Sequence, residues 1–443
     1  MRYSTAGWLV YHGSKKPAAF IPYHRRGGLS SKGPLRLILG GRLTVEVPVL
    51  QGHSLQPSAT CLPVRLQQTH PRTYQAGPFI AILTSDGNRT FRGNRSNFID
   101  LIRMGRKMGV TIFVLTPSGI QPGRSTVRGF IHRPSKTGDR FVPATLPLPD
   151  VVYNRIPTRD AEQREGEQQA LRYLGKTLRI PLFNPGFFNK WSLYQSLRQS
   201  GELSKLVPVT GRWDSHRPPV NGLKQFSAIY LKPNNGLAGN GMIRITRNKP
   251  GYEVVLQTLK GKKRIPASDA ESLWKLLRRI VGTRSYVWQQ GIPLATFKGR
   301  PFDLRILLQK GGNGNWGVTG IGIRVAGPEA ISTHVPMGGS IEDPQFVLKT
   351  VFGDRHRDVT RQIEGTALRI ARQIERSQGE RLGEMSIDMG IEKSGRLWFF
   401  EANAKPMKFD EPRIRQRSLK RLIQYFLRLS GFQGVSGKGG ASP

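Results

Sequence analysis

Three residues near the C-terminus, Asp388, Glu401 and Asn403, have side-chain types and a spacing that suit a divalent cation. Residues 384–405 contain two apolar runs on either side of Ser394-Gly395, a dipeptide typical of turns, so they predict a β-hairpin. A turn at that dipeptide sets Asp388 opposite Glu401 across the two strands. Because side chains alternate along a strand, Asn403 falls on the same face.

Facing carboxylates repel, which destabilises a strand pair by up to about 1 kcal/mol unless a positive charge neutralises them. Carboxylate and amide oxygens without thiol or imidazole neighbours are typical ligands of Mg²⁺, which completes its coordination with water and phosphate oxygens. A solvated polar face balanced by nearby Arg and Lys is the alternative. These residues alone leave both interpretations open.

A second group of chemically suitable residues lies within 228–244, where Lys232 ends an apolar run and Gly236, Gly239 and Gly241 follow. Glycines allow backbone N–H groups to approach phosphate oxygens, and a lysine adds a point charge for them. The segment lacks the GxxxxGK[ST] order of a Walker loop and leads into a strand where that loop requires a helix. An ordinary long turn is the alternative.

Between these groups, residues 285–308 predict an extended segment through Gln290 and Ile292. Backbone groups of such a segment can bind an adenine edge while apolar side chains cover the ring. Asp303 and Arg305 share one face of the next strand, which predicts either an ion pair or a ligand contact. Arg324, in a following strand, offers a fixed cation suited to a transferring phosphoryl group.

The upstream chain predicts the framework that positions these residues. Residues 78–83 and 110–115 predict two strands around a helix at 98–108, a unit typical of a parallel α/β layer. A third strand at 151–154 precedes a predicted polar helix at 160–178, and short β-like runs occupy residues 1–76. The loop after the first strand predicts either an anionic-substrate site or a basic solvated loop; it is Thr84–Ser96, with Asn88, Arg89, Arg92, Asn94 and Arg95.

The C-terminal segment 411–429 predicts an amphipathic helix whose apolar stripe is Leu419, Leu422, Ile423 and Phe426. A basic amphipathic helix can dock on its own domain, or it can bind a membrane or an acidic partner. We expect docking, followed by a flexible tail at 431–443.

Composition limits the class of protein. A chain of 443 residues with 37% hydrophobic and 22% charged residues predicts a folded protein of two or three domains. Its 69 Lys and Arg against 29 acidic residues give a net charge of +40, which attracts polyanions without identifying one. The single cysteine excludes an internal disulfide framework, and the absence of a long apolar run predicts a cytoplasmic protein without a signal peptide or transmembrane segment.

The order of these motifs resembles the ATP-grasp superfamily: Lys190 in FNKWSLYQSL, Lys232 with its glycines, QQGI, Asp303-Leu304-Arg305, Arg324, Gly338-Gly339, Asp388 and Glu401-Ala402-Asn403. The segments THVPMGGS and FFEANAKPMKFDEPRIR are similar, more narrowly, to the YheC/YheD endospore coat-associated family. The resemblance covers about residues 77–430. It implies an α/β (α+β) ATP-grasp fold, with a parallel pre-ATP-grasp domain at 77–184 and an ATP-grasp domain at 185–430 that has a lid at about 200–290. The basic β-rich region at 1–76, predicted from its short strand-like runs, precedes these domains.

The resemblance also implies a role for each site residue. Lys190 and Lys232 would contact the ATP phosphates beneath the loop Gly236 to Gly241, and Asp303 would belong to the same nucleotide site. Gln290 and Ile292 would contact adenine through main-chain atoms. Asp388, Glu401 and Asn403 would hold one or two Mg²⁺ ions, for which Mn²⁺ can substitute, and Arg305 and Arg324 would stabilise the γ-phosphoryl group in flight. His334 stands where relatives frequently carry Asn, which leaves its role undefined.

The activity that the resemblance implies is ligation of unknown substrates: a carboxylate takes the γ-phosphoryl group of ATP, and an amine then displaces phosphate. The alternative is a catalytically silent coat or scaffold protein whose +40 charge adheres to acidic spore-coat components. Nucleic-acid binding is disfavoured because aromatic residues are not interleaved with the basic ones. Ligase and scaffold alike imply a place in the mother-cell cytoplasm or the spore coat.

Overall fold

The structure, a computed structural model, describes residues 2–11, 19–24, 29–30, 33–50, 60–134, 138–213, 220–234, 240–258, 261–328, 330–331, 333 and 338–433. Its strands are β1 (Arg2–Tyr3), β2 (Ala6–Tyr11), β3 (Ala19–Pro22), β4 (Leu29–Ser30), β5 (Leu35–Leu39), β6 (Leu43–Val47), β7 (Thr60–His70), β8 (Thr73–Gly77), β9 (Phe79–Leu83), β10 (Thr111–Leu115), β11 (Thr126–Arg133), β12 (Arg140–Pro147), β13 (Val151–Asn154), β14 (Leu182–Phe183), β15 (Thr210–Arg212), β16 (Ala228–Pro233), β17 (Ile243–Asn248), β18 (Gly251–Thr258), β19 (Gly261–Ala267), β20 (Tyr286–Gln290), β21 (Thr296–Phe297), β22 (Arg300–Lys310), β23 (Trp316–Val325), β24 (Ser340–Glu342), β25 (Glu384–Ile391) and β26 (Leu397–Asn403). Its α-helices are α1 (Arg95–Lys107), α2 (Arg159–Glu162), α3 (Glu165–Arg172), α4 (Lys190–Arg198), α5 (Val220–Gln225), α6 (Ala270–Val281), α7 (Pro344–Phe352), α8 (His356–Gln378) and α9 (Pro412–Leu429).

The N-terminal sheet has the strand order β3-β2-β7-β8-β5-β6. In β5, Leu35, Leu37 and Leu39 are buried while Arg36 is exposed, the alternation expected of a strand with one solvated face. These leucines share one hydrophobic core with Phe79 of the next sheet. The N-terminal residues therefore pack directly on the following domain, and the boundary at residue 76 stays a prediction.

The second sheet, in the order β12-β11-β10-β9-β13-β14, confirms the predicted β-loop-α-β unit. Strands β9, β10, β13 and β14 are parallel, and every residue of β9 is buried, as expected when both faces of a strand are covered. Helix α1 begins after Asn94, whose side chain accepts a hydrogen bond from the backbone N–H of Asn97. The mixed α/β fold class predicted from the sequence is thus confirmed.

The single polar helix predicted at 160–178 is wrong. The chain forms α2, breaks at Arg164, which has an extended ψ of 146°, and then forms α3 and a π-helical turn at Tyr173–Thr177. Glu162, at the end of α2, is buried and accepts hydrogen bonds from Asn154 and the backbone of Phe187. Tertiary contacts of this carboxylate therefore override the local helix preference.

The docking predicted for the C-terminal helix is confirmed. Leu419, Leu422, Ile423 and Phe426 of α9 are buried in a cluster that includes Phe98 of α1. The tail predicted from residue 431 is wrong at its start, because Phe432 is completely buried in the same cluster. Residues 434–443 of that tail lie outside the described residues.

Two antiparallel sheets complete the fold. The middle sheet runs β15-β20-β16-β17-β18-β19 and packs its apolar face on α6. The C-terminal sheet runs β24-β23-β22-β25-β26, and Leu304 and Ile306 of β22 pack on α8. Because β22 has a period of two, Asp303 and Arg305 face away from that core. Within the described ranges, no helix combines the length and apolar character needed to cross a membrane.

Glu384 links the parallel sheet to the C-terminal sheet. Its buried carboxylate accepts hydrogen bonds from Tyr153, from Arg155 at 3.2 Å and from Gln309 at 3.1 Å. We predict that Glu384→Ala, which leaves Arg155 buried without a carboxylate, lowers the free energy of unfolding by about 3–5 kcal/mol. Urea unfolding measures this change as a lower midpoint.

The control for this prediction is Glu271→Ala, which removes an exposed ion pair with Lys275 on α6. Exposed pairs contribute little, so its midpoint should match that of the unmodified protein. Equal midpoints for the two variants would contradict a linking role for Glu384.

Candidate functional site

A cleft of about 1190 Å³, measured with its open mouth, lies between the middle and C-terminal sheets. Strands β16, β17 and β20 line one side, and β22, β23, β25 and β26 line the other. The cleft brings together eight of the residues singled out in the sequence: Lys190, Lys232, Gln290, Ile292, Asp303, Arg324, Asp388 and Glu401.

The hairpin β25–β26 places Asp388 directly opposite Glu401, as its sequence predicts, but by a different route. The turn is longer than the dipeptide Ser394-Gly395. The last paired residues of the two strands are Ile391 and Leu397, and in the loop between them the backbone N–H of Glu392 donates to the carbonyl of Arg396. Next to this loop, the strand pairing is therefore offset by one residue from the pairing that a turn at Ser394-Gly395 predicts. A β-bulge beside Asp388 restores it, because Phe400 is the extra residue between the partners of Met389 and Asp388. Phe400 lines the cleft, in keeping with the way bulges redirect side chains at functional sites.

Arg324 compensates the negative charge of this hairpin. Its guanidinium bonds Asp303 at 3.0 and 3.1 Å and Asp388 Oδ2 at 2.9 Å. Burial raises the pKa of Asp388 and would by itself lower that of Arg324, but the two carboxylates hold the pKa of Arg324 above its ordinary value. The hydroxyl of Thr333 donates to Asp303. The predicted Asp303 ion pair therefore exists, but its partner is Arg324 on the neighbouring strand and not Arg305.

Two lysines supply further positive charge. Lys190, the first residue of α4, lies 3.1 Å from Glu401 Oε2. Lys232 Nζ donates to Gln289 at 2.5 Å and lies 5.1 Å from the centre of the Phe400 ring. Burial, reinforced by the nearby Lys190, lowers the pKa of Lys232 to about 8. Such an amine changes its charge near neutral pH, which an exposed lysine does not.

The predicted nucleotide-contacting backbone is only partly described. Gly236, Gly239 and His334 lie outside the described residues. Gly241 has a φ of +78°, which favours glycine. Its N–H donates to the carbonyl of Gln257 at 2.8 Å, and its carbonyl accepts from the hydroxyl of Tyr286 at 2.9 Å. Its contact with phosphate stays a prediction.

Gln290 and Ile292 both line the cleft beside a mainly apolar wall, which is Met242, Leu294, Ala326, Ala330 and Ile331. The backbone N–H of Gln290 donates to Val209 at 2.8 Å, and its side chain accepts from Val209 at 3.3 Å. These two bonds hold Gln290, the last residue of β20, against Val209, which directly precedes β15. The adenine contact of Gln290 and Ile292 stays a prediction.

The side-chain atoms around the hairpin fit a divalent cation. Asp388 Oδ1 is buried and has no hydrogen-bond partner in the described part of the chain, whereas Oδ2 is bonded by Arg324. Asn403 lies beside Glu401, with its Nδ2 donating to Oε1 at 3.3 Å. No cluster of three or more His, Cys, Asp or Glu suited to a metal occurs among the described residues. Carboxylate and amide oxygens are the ligand types that Mg²⁺ prefers, and their binding of such an ion stays a prediction.

Several cleft residues escaped sequence reasoning. Tyr230 precedes Lys232 by two residues, so strand periodicity could have placed both on one face. Gln289 and Arg244 are polar residues in apolar strands, another available signal. Thr333 and Phe400 carried no such signal, because their positions depend on an ion pair and on a bulge.

The chain is similar to known proteins in sequence and in fold. A family model described as YheC/D-like ATP-grasp matches residues 179–429. The chain is 28% identical over 354 residues to the endospore coat-associated protein YheD of Bacillus subtilis (strain 168), covering 78% of this chain and 76% of that protein. It is 21% identical over 311 residues to YheC of the same organism, covering 69% and 84%. Among solved structures, D-alanyl-alanine synthetase A from Vibrio cholerae has 10% identity and a TM-score of 0.46, covering 81% of this chain and 99% of its own.

The family match spans more than half of the 443 residues. It includes the middle and C-terminal sheets, whose facing strands form the cleft. The chain therefore belongs to the YheC/D-like ATP-grasp family.

Proposed function

We propose that this protein is a Mg²⁺- and ATP-dependent ligase that joins a carboxylate substrate to an amine during endospore coat formation. The observation that carries the proposal is the convergence of Asp388 and Glu401 with Lys190, Lys232 and Arg324 in one cleft. The names of the relatives YheD and YheC support the association with the spore coat. The cytoplasm of the mother cell and the coat are the locations that such a role implies.

In this proposal the nucleotide lies along the cleft. Adenine occupies the apolar end beside Ile292 and Ile331, and the phosphates extend toward Lys190 and Lys232. Asp388, Glu401 and Asn403 would hold Mg²⁺, which would supply positive charge against the phosphates. Burial favours these contacts, because charges interact more strongly where water is excluded.

The side chains act mainly by holding reactants and matching charge. Arg324 is fixed by two carboxylates, so it faces the γ-phosphoryl group without reorganisation, which suits stabilisation of a transition state. The substrate carboxylate forms a bond to phosphorus as the bond to ADP breaks. The amine then attacks the acylphosphate, phosphate leaves, and the amine loses a proton to form the amide.

A catalytically silent coat protein is the second candidate, and the net charge of +40 favours it. Such a protein would bind ATP only for structural support, or would have lost ATP binding altogether. It would adhere to acidic coat components through its cations. Adhesion that depends on charge weakens steeply with salt. Phosphate release with carboxylates and amines separates the two candidates, because the silent protein releases none.

The metal assignment is tested with Asp388→Asn and Glu401→Gln. Each substitution removes the charge of one ligand. We therefore expect the gain in ATP affinity that Mg²⁺ provides to fall by about 10-fold to 100-fold. Calorimetric titration with ATP in Mg²⁺ and in EDTA measures that gain. The exposed Glu271→Gln on α6 is the matched control and should retain it. An undiminished gain in both site variants would show that these residues do not hold the metal.

The lowered pKa of Lys232, about 8, predicts a pH dependence of nucleotide binding. ATP phosphates favour the protonated amine, so affinity should hold below pH 8 and fall as the pH rises through that value. Lys232→Arg keeps its charge at every accessible pH and should flatten the profile. Dissociation constants for Mg²⁺·ATP between about pH 7 and pH 10 measure both curves. Identical slopes in the two proteins would exclude Lys232 as the titrating group.

A further inference from the structure

A second cavity lies where the N-terminal sheet meets the second sheet and α1. Its volume is about 910 Å³, measured with its open mouth, and among the described residues it shares no lining side chain with the cleft. Strands β2 and β7 form one side of it, and α1, β10 and β11 form the other. The proposed ligase function assigns no role to this cavity.

Two hydrogen bonds hold the sides of the cavity together. The hydroxyl of Thr111, on β10, donates to the carbonyl of Pro63, on β7, at 2.7 Å. Arg65 of β7 donates to the carbonyl of Met108, just after α1, at 2.6 Å. Thr111 and Arg65 are both buried, so water competes little for these bonds. The cavity is therefore formed in advance, which lowers the cost of ordering the protein around a ligand.

Two arginines bring positive charge to the cavity. Arg106, in the last turn of α1, has its guanidinium 5.9 Å from the centre of the Trp8 ring. Arg133, the last residue of β11, donates to the hydroxyl of Thr60. Burial raises the pKa of Cys61, and the charges of both arginines oppose that rise, so both guanidinium groups lie near its thiol.

The charge of Arg106 is not compensated by a carboxylate of the described chain. Burial lowers its pKa, and the side chains that oppose this shift are Cys61 and Tyr23. Both are uncharged at neutral pH, because burial raises the pKa of the thiol and raises that of Tyr23 to about 12. A partly buried guanidinium in such a place is stabilised by an anion that it can bond.

The chain around the cavity supplies little negative charge. Residues 1–76 contain one acidic residue, Glu46, on β6, a strand that does not line the cavity. Asp139 bonds His132 of the cavity wall at 2.6 Å, and it is also paired with Arg103 at 2.8 Å. The cations of the cavity therefore favour a negative charge that comes from a ligand.

The remaining walls are largely apolar. They consist of Leu62, Pro63, Ile102, Val110, Ile112 and Ile131. Small-molecule sites are typically cavities of about 300–1,000 Å³ with mostly apolar walls and a few placed polar groups. An inorganic anion would leave these walls in contact with water, whereas a ligand with an apolar body would cover them.

We infer that this cavity binds a small organic anion, a carboxylate or a phosphate ester that carries an apolar body. The anionic group bonds Arg106 and Arg133, and the body packs on the apolar walls beside Trp8. Because the two sides of the cavity come from the N-terminal sheet and from the second sheet with α1, the bound ligand joins them. The inference does not depend on the ligase function, and it gives the N-terminal sheet a role in binding.

Cys61 is suited to report on the ligand, because it is the single cysteine of the chain and lines the cavity. The test measures how fast N-ethylmaleimide, an uncharged reagent, modifies Cys61 of the full chain as a ligand is added. The ligands are hydrocinnamate, phenethyl phosphate and the uncharged hydrocinnamide. We expect at least one anion to slow the modification saturably, at a concentration at least about tenfold lower than the amide requires. The anion that protects at the lower concentration identifies the preferred head group.

Arg106→Gln should raise the anion concentration for half-protection at least about tenfold, with partial rescue by Arg106→Lys. Arg133→Gln, at an exposed position, should weaken protection in the same direction. The matched control is Lys107→Gln, at the next, exposed position of α1 and outside the cavity lining, which should leave protection unchanged. Equal protection by the amide and the anions would overturn the inference of an anion site. Absence of saturable protection by either anion would also overturn it, as would undiminished protection in both Arg106→Gln and Arg133→Gln.

Discussion

The meeting of two carboxylates, Asp388 and Glu401, is the constraint on which the rest of the site depends. They lie opposite each other, with Asp388 buried and Glu401 partly buried, so they repel and lose hydration, and each effect disfavours the folded hairpin. Arg324 and Lys190 offset this cost from two separate elements, β23 and α4. Ion pairs with this one hairpin therefore help to hold both β23 and α4 in position.

The same hairpin connects the two sides of the cleft. Its bulge turns Phe400 toward the cavity, where the ring lies beside Lys232 of the middle sheet. This cation–π contact and the bond to Gln289 hold the amine in a buried place, and burial lowers its pKa although the nearby Glu401 carboxylate opposes the shift.

The parallel sheet is joined to the site through buried polar groups. Glu384, four residues before Asp388, bonds Tyr153 and Arg155, and Lys405 pairs with Glu162 just beyond the other strand. Because a buried charge that loses its partner is costly, these pairs fix the register between the sheets more strictly than apolar packing alone would. The carboxyl ends of the parallel strands are thereby held next to the hairpin that carries Asp388 and Glu401.

The sequence by itself determined the local features: the hairpin, the β-loop-α-β unit, the apolar stripe of α9, and the order of the motifs that identifies the ATP-grasp fold. These depend on periodicity and on residue types within short windows. Only the tertiary structure decided that Arg324 and not Arg305 pairs with Asp303, that the predicted polar helix breaks at Arg164, and that Phe432 is buried. It also decided that a bulge at Phe400 corrects the register of the hairpin. Each of these outcomes depends on which distant strands and helices share a buried space. The free energy of burying a charge or a ring is set by those tertiary neighbours, and the residues beside it in the sequence do not reveal them.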